Sequence, residues 1–454
     1  MMNSIAHPID YRYGDKKLRE LFSPANIIKT YAFIETIVAE TQAEMGIIPK
    51  TAAEHIKKAA EKISYEEVIA EEKKVKHDLM ALVNIIARKA GEWGEYVHWG
   101  LTSSDVKDTA MALLLKNGLE VIEKKLVELM ILLAKRSYEF INLPCVGRTH
   151  GVHANIYLFG HKFSVYLDEI LRHFERLQNV KKYVLVGKFS GAVGIHTALG
   201  EIGEEFEQRA LSKLGIFKAE ITTQIVPRDG LAELLFIFSL ISSTLDKFAV
   251  EIRNLQRTEI NEVSEPFREK QVGSSAMPHK KNPIMSENIS GLARIIRSLV
   301  IAALENIVLW HERDLSNSST ERILLPEIFL LLSEQLDKAI KILHGLFVNK
   351  EKILENIWLT NGLVFSEALM MALARKGLGR QKAHSLVREL SLRALNERRS
   401  FRKVVMENEI IKKYLSKTEL ESIFDPYKYI QVAKKRILHL IQKLENRLNI
   451  KVVN

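Results

Sequence analysis

The chain has 454 residues, a net charge of +10 at neutral pH, 47% hydrophobic residues and 27% charged residues. This composition is typical of a folded globular protein, and the length predicts two to four domains. No apolar run approaches the roughly 18 residues of a membrane span, and the first residues lack the apolar core of a secretory signal. Cys145 is the only cysteine, which excludes an internal disulfide, disfavours a thiolate metal cluster and favours the reducing cytoplasm.

The positive charge fits either an anionic partner or a lysine-rich solvated surface. Lys and Arg are scattered among Glu, without a long basic block or a regular spacing of aromatic residues. Nucleic-acid binding is therefore disfavoured, whereas a phosphorylated or carboxylated small molecule remains a suitable partner.

Proline placement and apolar spacing predict long helices. The ten prolines leave long uninterrupted stretches, namely 50–143, 145–226, 228–265, 284–325 and 327–425, and proline is excluded from most helix interiors. Apolar residues alternate steps of three and four in two runs, 115–133 and 234–255, as in packed helices. Strand-like alternation is scarce, and 180–189 is its best candidate. The sequence thus predicts a mainly α fold with a long helical bundle in its middle.

Three regions are predicted along the chain. Residues 1–103 hold shorter helices, and residues 353–454 form a smaller helical domain. Residues 104–352 carry the two long runs of apolar residues, which we call apolar seams. Apolar seams on several helix faces favour burial against partner chains, so we expect a homo-oligomer.

The densest irregular segment is KQVGSSAMPHKKNPIMSEN at 270–288. An ordinary connection between helices is shorter and carries less chemistry. Hydroxyls and backbone N–H groups near Ser274 and Ser275 can hold an oxyanion, Lys280 supplies a cation and Asn282 an amide donor. Gly273 gives the loop freedom to close. The segment therefore predicts a loop that binds a carboxylate.

The segment GLTSSD precedes the first seam and is typical of a helix N-terminus. Thr102 and Asp105 have the spacing of a capping box, and the same helix end can bind an anion. Capping alone remains an alternative for Asp105. Arg313, Ser318 and Arg322 form a set suited to phosphate, although surface salt bridges remain an alternative there.

Two histidines three residues apart raise the question of a metal. His150 and His153 have no acidic residue or cysteine nearby to complete a site, so no metal is predicted.

The loop resembles a known signature. GSSAMPHKKNP (273–283) is similar to that of the fumarase/aspartase superfamily. Five further segments resemble the adenylosuccinate lyase family within it: KHDLMALV (76–83), VHWGLTSSDVKDTA (97–110), GRTHGVHA (147–154), ITTQIVPRD (221–229) and ERDLSNSSTER (312–322). LMMALARKGLGRQKAH (369–384) is similar to the opening of that family's third domain.

The resemblance implies a fold, a reaction and an assembly. The fold is three helical domains, with the central helices forming the core of a homotetramer whose active sites each draw on three subunits. The reaction is β-elimination of fumarate from a succinylated purine nucleotide, or from its imidazole precursor, in AMP biosynthesis. No cofactor, nucleic acid or membrane is implied.

The same resemblance implies roles for individual residues. Ser274 is the base and His150 the acid, while His77, Lys280 and Glu287 complete the catalytic set. For Glu287 a solvated loop carboxylate remains an alternative to a bond with the acid. The residues placed against the substrate are Arg12, Tyr13, Lys76, Asp78, His98, Thr102, Ser103, Thr149, Gln224, Ser275, Met277, Asn282, Arg313, Ser318 and Arg322.

Some positions depart from the family pattern. Lys76 stands where relatives have arginine, which loses the bidentate fork but keeps the charge. Residues 155–158 read Asn-Ile-Tyr-Leu where many relatives read Glu-Pro-Thr-Thr, which puts the packing of a local helix in doubt. Lys29 stands near the place where relatives offer phosphate an arginine.

Two alternatives compete with this interpretation. A lyase acting on argininosuccinate shares the loop, but the set formed by Arg313, Ser318 and Arg322 disfavours it. A catalytically silent scaffold is disfavoured by the intact Ser274 and His150.

Overall fold

The computed structural model describes residues 7–267, 270–271 and 273–453. Within them the chain forms eighteen α-helices: α1 (Lys16–Leu21), α2 (Pro24–Glu44), α3 (Lys50–Ala60), α4 (Tyr65–Val75), α5 (Asp78–Ala90), α6 (Ser103–Glu139), α7 (Phe159–Val184), α8 (Gly203–Leu214), α9 (Asp229–Leu255), α10 (Ile284–Glu305), α11 (Ser316–Gly345), α12 (Lys350–Ile357), α13 (Ser366–Leu373), α14 (Arg380–Asn396), α15 (Phe401–Glu407), α16 (Glu409–Tyr414), α17 (Lys417–Ile423) and α18 (Gln431–Leu448). The prediction of a mainly α fold is confirmed.

In the same described residues, six short strands pair in three two-stranded sheets. They are β1 (Pro144–Thr149), β2 (Val152–Leu158), β3 (Val186–Gly187), β4 (Phe217–Lys218), β5 (Val263–Ser264) and β6 (Phe347–Val348). β1 pairs with β2 and β5 with β6 in antiparallel fashion, whereas β3 and β4 are parallel.

The predicted long helices are present. α6 has 37 residues, α9 has 27 and α11 has 30. The two apolar seams, 115–133 and 234–255, lie in α6 and α9, and their residues are buried. Their spacing therefore marks helix faces that pack inward.

The best strand candidate of the sequence, 180–189, is mostly not a strand. Residues 180–184 end α7, and only Val186 and Gly187 of the proposed strand pair with another strand. Buried Leu177, Val180 and Val184 follow helical spacing, which overrides the local β-branched composition. Residues 155–158, where the departure from the family pattern put the packing of a local helix in doubt, lie in strand β2 and not in a helix.

The chain divides into two compact units. Unit 1 comprises Met1–Leu126, His173–Ser243 and Gly291–Asp337, and unit 2 comprises Val127–Arg172, Thr244–Ser290 and Lys338–Asn454. One core of unit 1 gathers apolar residues of α2, α3, α5 and α8. A core of unit 2 gathers α13–α17 and Val146 of β1. The three-domain boundaries remain a prediction.

No helix in the described part of the chain is both long and apolar enough to cross a membrane.

Candidate active site

His77 begins α5 in unit 1. Its Nδ1 accepts the backbone N–H of Met80 at 3.2 Å, so the ring caps the helix. Nδ1 also lies 3.6 Å from an Asp78 oxygen, but a nitrogen that accepts an N–H cannot carry the proton such an ion pair needs. With Nδ1 accepting an N–H, the ring nitrogen left to donate is Nε2, which lies 3.3 Å from Ser103 Oγ. Two residues predicted from separate motifs thus meet at the N-termini of α5 and α6.

Asp105 anchors the turn that precedes α6. Its Oδ2 accepts the Thr102 N–H at 2.8 Å, which is the carboxylate half of the predicted capping box. Its Oδ1 bonds the ammonium of Lys188, and both side chains are fully buried. Burial raises the pKa of Asp105, an effect that Lys188 and two backbone N–H groups partly offset. The buried ion pair of Asp105 and Lys188 therefore fixes the turn that carries Thr102 and Ser103.

His98 lies in the turn before these residues with a left-handed backbone, φ +61°. Its Nδ1 lies 2.6 Å from Glu35 Oε1 of α2. Burial alone would lower the pKa of His98, but the charge of Glu35, its hydrogen bond and the charge of Asp105 together raise it above the ordinary value.

A cavity of about 410 Å³ in unit 1 contains the predicted phosphate set. Arg313, Ser318 and Arg322 line it together with Asp78 and Lys107. Apolar and aromatic side chains also line it, among them Phe22, Ile27, Ile28, Tyr31 and Ile69. The cavity therefore offers groups that suit an anion and groups that suit an apolar ring.

Neutral groups orient the guanidinium of Arg313. Its Nη1 donates to Ser104 Oγ at 2.9 Å and to Gln224 Oε1 at 3.0 Å. Its Nε is buried and has no acceptor among the described residues. The Nε–H of Arg313 thus has no acceptor among the described residues, and Gln224 contacts the guanidinium directly.

Asp78 bridges two cations of the same wall. Its Oδ1 accepts from Lys107 Nζ at 2.6 Å and its Oδ2 from Arg322 Nη2 at 3.4 Å. Burial alone would raise the pKa of Asp78, but the hydrogen bond and charge of Lys107, with Arg322, lower it below its usual value. Asp78 is therefore ionised and holds these side chains in place.

A buried ion cluster supports the wall. Arg228 donates to both oxygens of Asp108, at 2.8 and 2.9 Å, and to Glu321 at 2.7 Å. Glu321 belongs to the same helix as Ser318 and Arg322. The cluster therefore fixes the start of α11 relative to α6.

Other predicted residues of unit 1 lie apart from this wall. Lys29 lines separate depressions on α2 with Phe33. Lys76 ends α4 in a left-handed conformation and is exposed. Arg12 is exposed and lies 5.9 Å from the centre of the Tyr13 ring.

The signature loop belongs to unit 2. Ser274 Oγ accepts the backbone N–H groups of Ala276 at 3.3 Å and Met277 at 3.1 Å. Asn282 Nδ2 donates to the Gly273 carbonyl oxygen at 2.9 Å and so ties the two ends of the loop together. A Cβ atom at Gly273 would lie 2.0 Å from the Lys280 carbonyl oxygen, so this approach requires glycine.

The loop borders a large cavity of about 1380 Å³ within unit 2. Met277, Lys280, Asn282 and Glu287 line it, and all but Asn282 are exposed. Buried Glu265 accepts the N–H groups of Met285 and Ser286, at 3.1 and 2.7 Å. This carboxylate caps α10, on whose first turn Glu287 is presented.

His150 lies at the tip of the β1–β2 hairpin in unit 2. His150 and Gly151 form its two-residue loop with φ of +53° and +76°, as in a type I′ turn. Thr149 and His150 are both exposed. Arg148, at the end of β1, donates to the buried Glu262 at 2.5 Å and so anchors the tip.

Sequence reasoning missed three supporting residues. Glu35, Lys107 and Lys188 each lie outside the predicted set but contact one of its members or a neighbour of one. Lys107 lies two positions after the TSSD motif and about one helical turn after Ser103 and Ser104. This spacing could have identified it from the sequence. Glu35 and Lys188 left no comparable signal. No group of three or more His, Cys, Asp or Glu in the described ranges is arranged to hold a metal ion.

Comparisons with known proteins identify the family of the chain. The family model described as Lyase matches residues 10–297, and that described as Adenylosuccinate lyase C-terminus matches residues 362–438. The chain is 47% identical to adenylosuccinate lyase of Pyrococcus horikoshii, covering 97% of this chain and 99% of that protein. It is 44% identical to adenylosuccinate lyase of Aquifex aeolicus, covering 92% and 96%.

A solved structure of a lyase shares the fold. Fumarate lyase from Mesorhizobium sp. BNC1 is 32% identical with a TM-score of 0.87, covering 94% of this chain and 97% of that one. With the two family models and the near full-length relatives, this shows that the chain is a lyase and belongs to the adenylosuccinate lyase family.

Proposed function

We propose that the protein removes fumarate from adenylosuccinate to leave AMP, and from succinylaminoimidazole carboxamide ribotide to leave aminoimidazole carboxamide ribotide. Both reactions are β-eliminations of purine nucleotide biosynthesis that break a C–N bond. The observation that carries the proposal is the similarity over 97% of the chain to proteins named adenylosuccinate lyase. The chemistry of the two units supports it step by step.

Ser274 is the base in this proposal. It removes a proton beside a carboxylate, and the electron pair left on carbon is held as an aci-carboxylate until the C–N bond breaks. A serine is a weak base unless its alkoxide is stabilised. The N–H groups of Ala276 and Met277 already point at its Oγ, and Lys280 on the same loop adds positive charge. These preorganised donors favour the ionised form.

His150 is the acid that protonates the departing nitrogen. Its place at an exposed hairpin tip allows the ring to reach a ligand. In this proposal Glu287 hydrogen-bonds the ring and fixes its tautomer. Thr102 and Ser103, at the N-terminus of α6, hold a substrate carboxylate with His77, whose Nε2 contacts Ser103.

The wall of the unit 1 cavity holds the phosphate. Arg313 has a buried Nε without an acceptor among the described residues, which a phosphate oxygen would satisfy. Arg322 and Ser318 add a second guanidinium and a hydroxyl. This grouping suits a nucleotide better than argininosuccinate, which lacks phosphate.

We further propose that the protein acts as a homotetramer in the cytoplasm. Apolar side chains that are more than half exposed lie along the chain from the last turns of α10 to the first turns of α11: Ile301, Leu304, Val308, Trp310, Leu315 and Ile323. Exposed apolar surface of this extent favours a partner chain. Light scattering coupled to size-exclusion chromatography measures the assembly, and a monomeric mass would contradict it.

The substrate is tested by measuring fumarate release from adenylosuccinate and from argininosuccinate. We expect turnover of the first only. Release from argininosuccinate alone would contradict the proposed function.

The base is tested with Ser274→Ala. We expect kcat to fall by about 10²–10⁴-fold, the usual contribution of general base catalysis, with substrate still bound. Ser275→Ala is the matched comparison on the same loop and should mainly raise KM. If Ser275→Ala lost more of kcat than Ser274→Ala, the assignment of the base would be wrong.

A further inference from the structure

Glu35 is a carboxylate in an apolar core. It lies on α2 among Ile34, Val38 and Ala39, and only 1% of its surface is exposed. Burying an isolated carboxylate is costly, so such a group is retained where a partner shares its charge. Its Oε1 has that partner in His98 Nδ1 at 2.6 Å, while its Oε2 is buried without a hydrogen bond among the described residues.

A second side chain on the same face of α2 also contacts the turn around His98. Gln42, seven residues after Glu35 and so two helical turns along, donates from Nε2 to the Trp99 carbonyl oxygen at 2.8 Å. His98 itself has φ +61°, a conformation that is unfavourable for a residue other than glycine. Two buried side chains thus fix a strained turn at His98, four residues before Thr102.

The two carboxylates near His98, those of Glu35 and Asp105, both raise its pKa. Glu35 faces it from α2, and Asp105 acts on it from α6, where Lys188 partly neutralises Asp105. Because Glu35 occupies Nδ1, the proton available to a ligand is the one on Nε2. No described residue is seen bonded to Nε2.

We propose that Glu35 is a positioning residue: its carboxylate orients the His98 ring and keeps it a cation, so that Nε2–H donates to an anionic oxygen of the substrate. This inference rests on the proposed function for the identity of that substrate. His98 contacts the ligand, whereas Glu35 acts only through His98.

The test is the pH profile of fumarate release from adenylosuccinate by the intact protein carrying Glu35→Gln. Glutamine keeps the shape and a hydrogen-bond acceptor but removes the charge. With a cationic His98 required, kcat/KM falls as the pH rises through the pKa of His98, and the variant should show this fall at least about one pH unit lower. We therefore expect about a tenfold or larger loss at pH 8, mainly in KM, and a much smaller loss at pH 6.

The chain offers a matched control. Glu207 is a similarly buried carboxylate in unit 1, and its Oε2 lies 3.5 Å from Nε2 of His196, which is outside the proposed site. Glu207→Gln should leave the alkaline fall where it is in the unaltered protein. An equal shift in both variants, or a loss for Glu35→Gln that does not depend on pH, would overturn the inference.

A second variant decides the matter if Glu35→Gln does not fold. His98→Asn keeps the turn, because asparagine adopts the left-handed region readily, and removes the titrating ring. Its kcat/KM should lose the alkaline fall, and an unchanged fall would refute the role of His98. Failure of the unaltered protein to release fumarate would instead count against the proposed function.

Discussion

The buried pair of Lys188 and Asp105 allows a quantitative prediction. Lys188→Met keeps the length of the side chain but removes the ammonium from a carboxylate that is 0% exposed. Removing one partner of a buried pair costs about 3–5 kcal/mol. We expect about 3 kcal/mol, because the N–H groups of Thr102 and Gly191 still donate to Asp105. With about 2.1 cal/mol/K of unfolding entropy per residue over 454 residues, Tm should fall by about 3 °C.

The assay is thermal unfolding followed by circular dichroism at two pH values. Burial already raises the pKa of Asp105 in the folded state, and loss of Lys188 raises it further. A carboxyl group with a raised folded pKa favours the folded state at low pH and loses this contribution as the pH rises. The deficit of Lys188→Met should therefore shrink between pH 7 and pH 5.

Two comparisons make this prediction refutable. Lys57→Met removes an exposed pair with Glu40 and should lower Tm much less than Lys188→Met does. Adding Asp105→Asn to Lys188→Met removes the unpaired charge and should recover part of the lost Tm. If Lys188→Met cost no more than Lys57→Met, or the double variant were less stable than the single one, the reasoning would be refuted.

Two other substitutions test the packing of unit 1. Arg228→Met leaves Asp108 and Glu321 buried without their shared cation, so we expect a loss of about 3–5 kcal/mol, measured by thermal unfolding, and a raised KM for adenylosuccinate. Gly94→Ala would place a Cβ atom 2.3 Å from the Ala87 carbonyl oxygen, and we expect a loss of about 1–3 kcal/mol. Unchanged melting temperatures would contradict either prediction.

The helices were predictable where burial alone specifies them. Each seam in α6 and α9 repeats its spacing over many turns, so a single local exception does not change the outcome. The β1–β2 hairpin carries no such repetition. The first three residues of β1 are all buried, which removes the alternation expected of a strand, and its turn is His-Gly rather than the usual Asn-Gly. Its pairing depends on tertiary contacts that the local sequence does not encode.

The same distinction applies to the site. Residues that would contact the ligand lie in recognisable motifs, because their chemistry requires fixed types at fixed spacing. Their supports carry no such requirement: Glu35 is 63 positions from His98, and Lys188 is 83 from Asp105. Any segment that the fold brings close could supply either charge. Asp105 shows the consequence. The hydrogen bond that its carboxylate accepts from the Thr102 N–H is local and predictable, whereas its ion pair with Lys188 is neither.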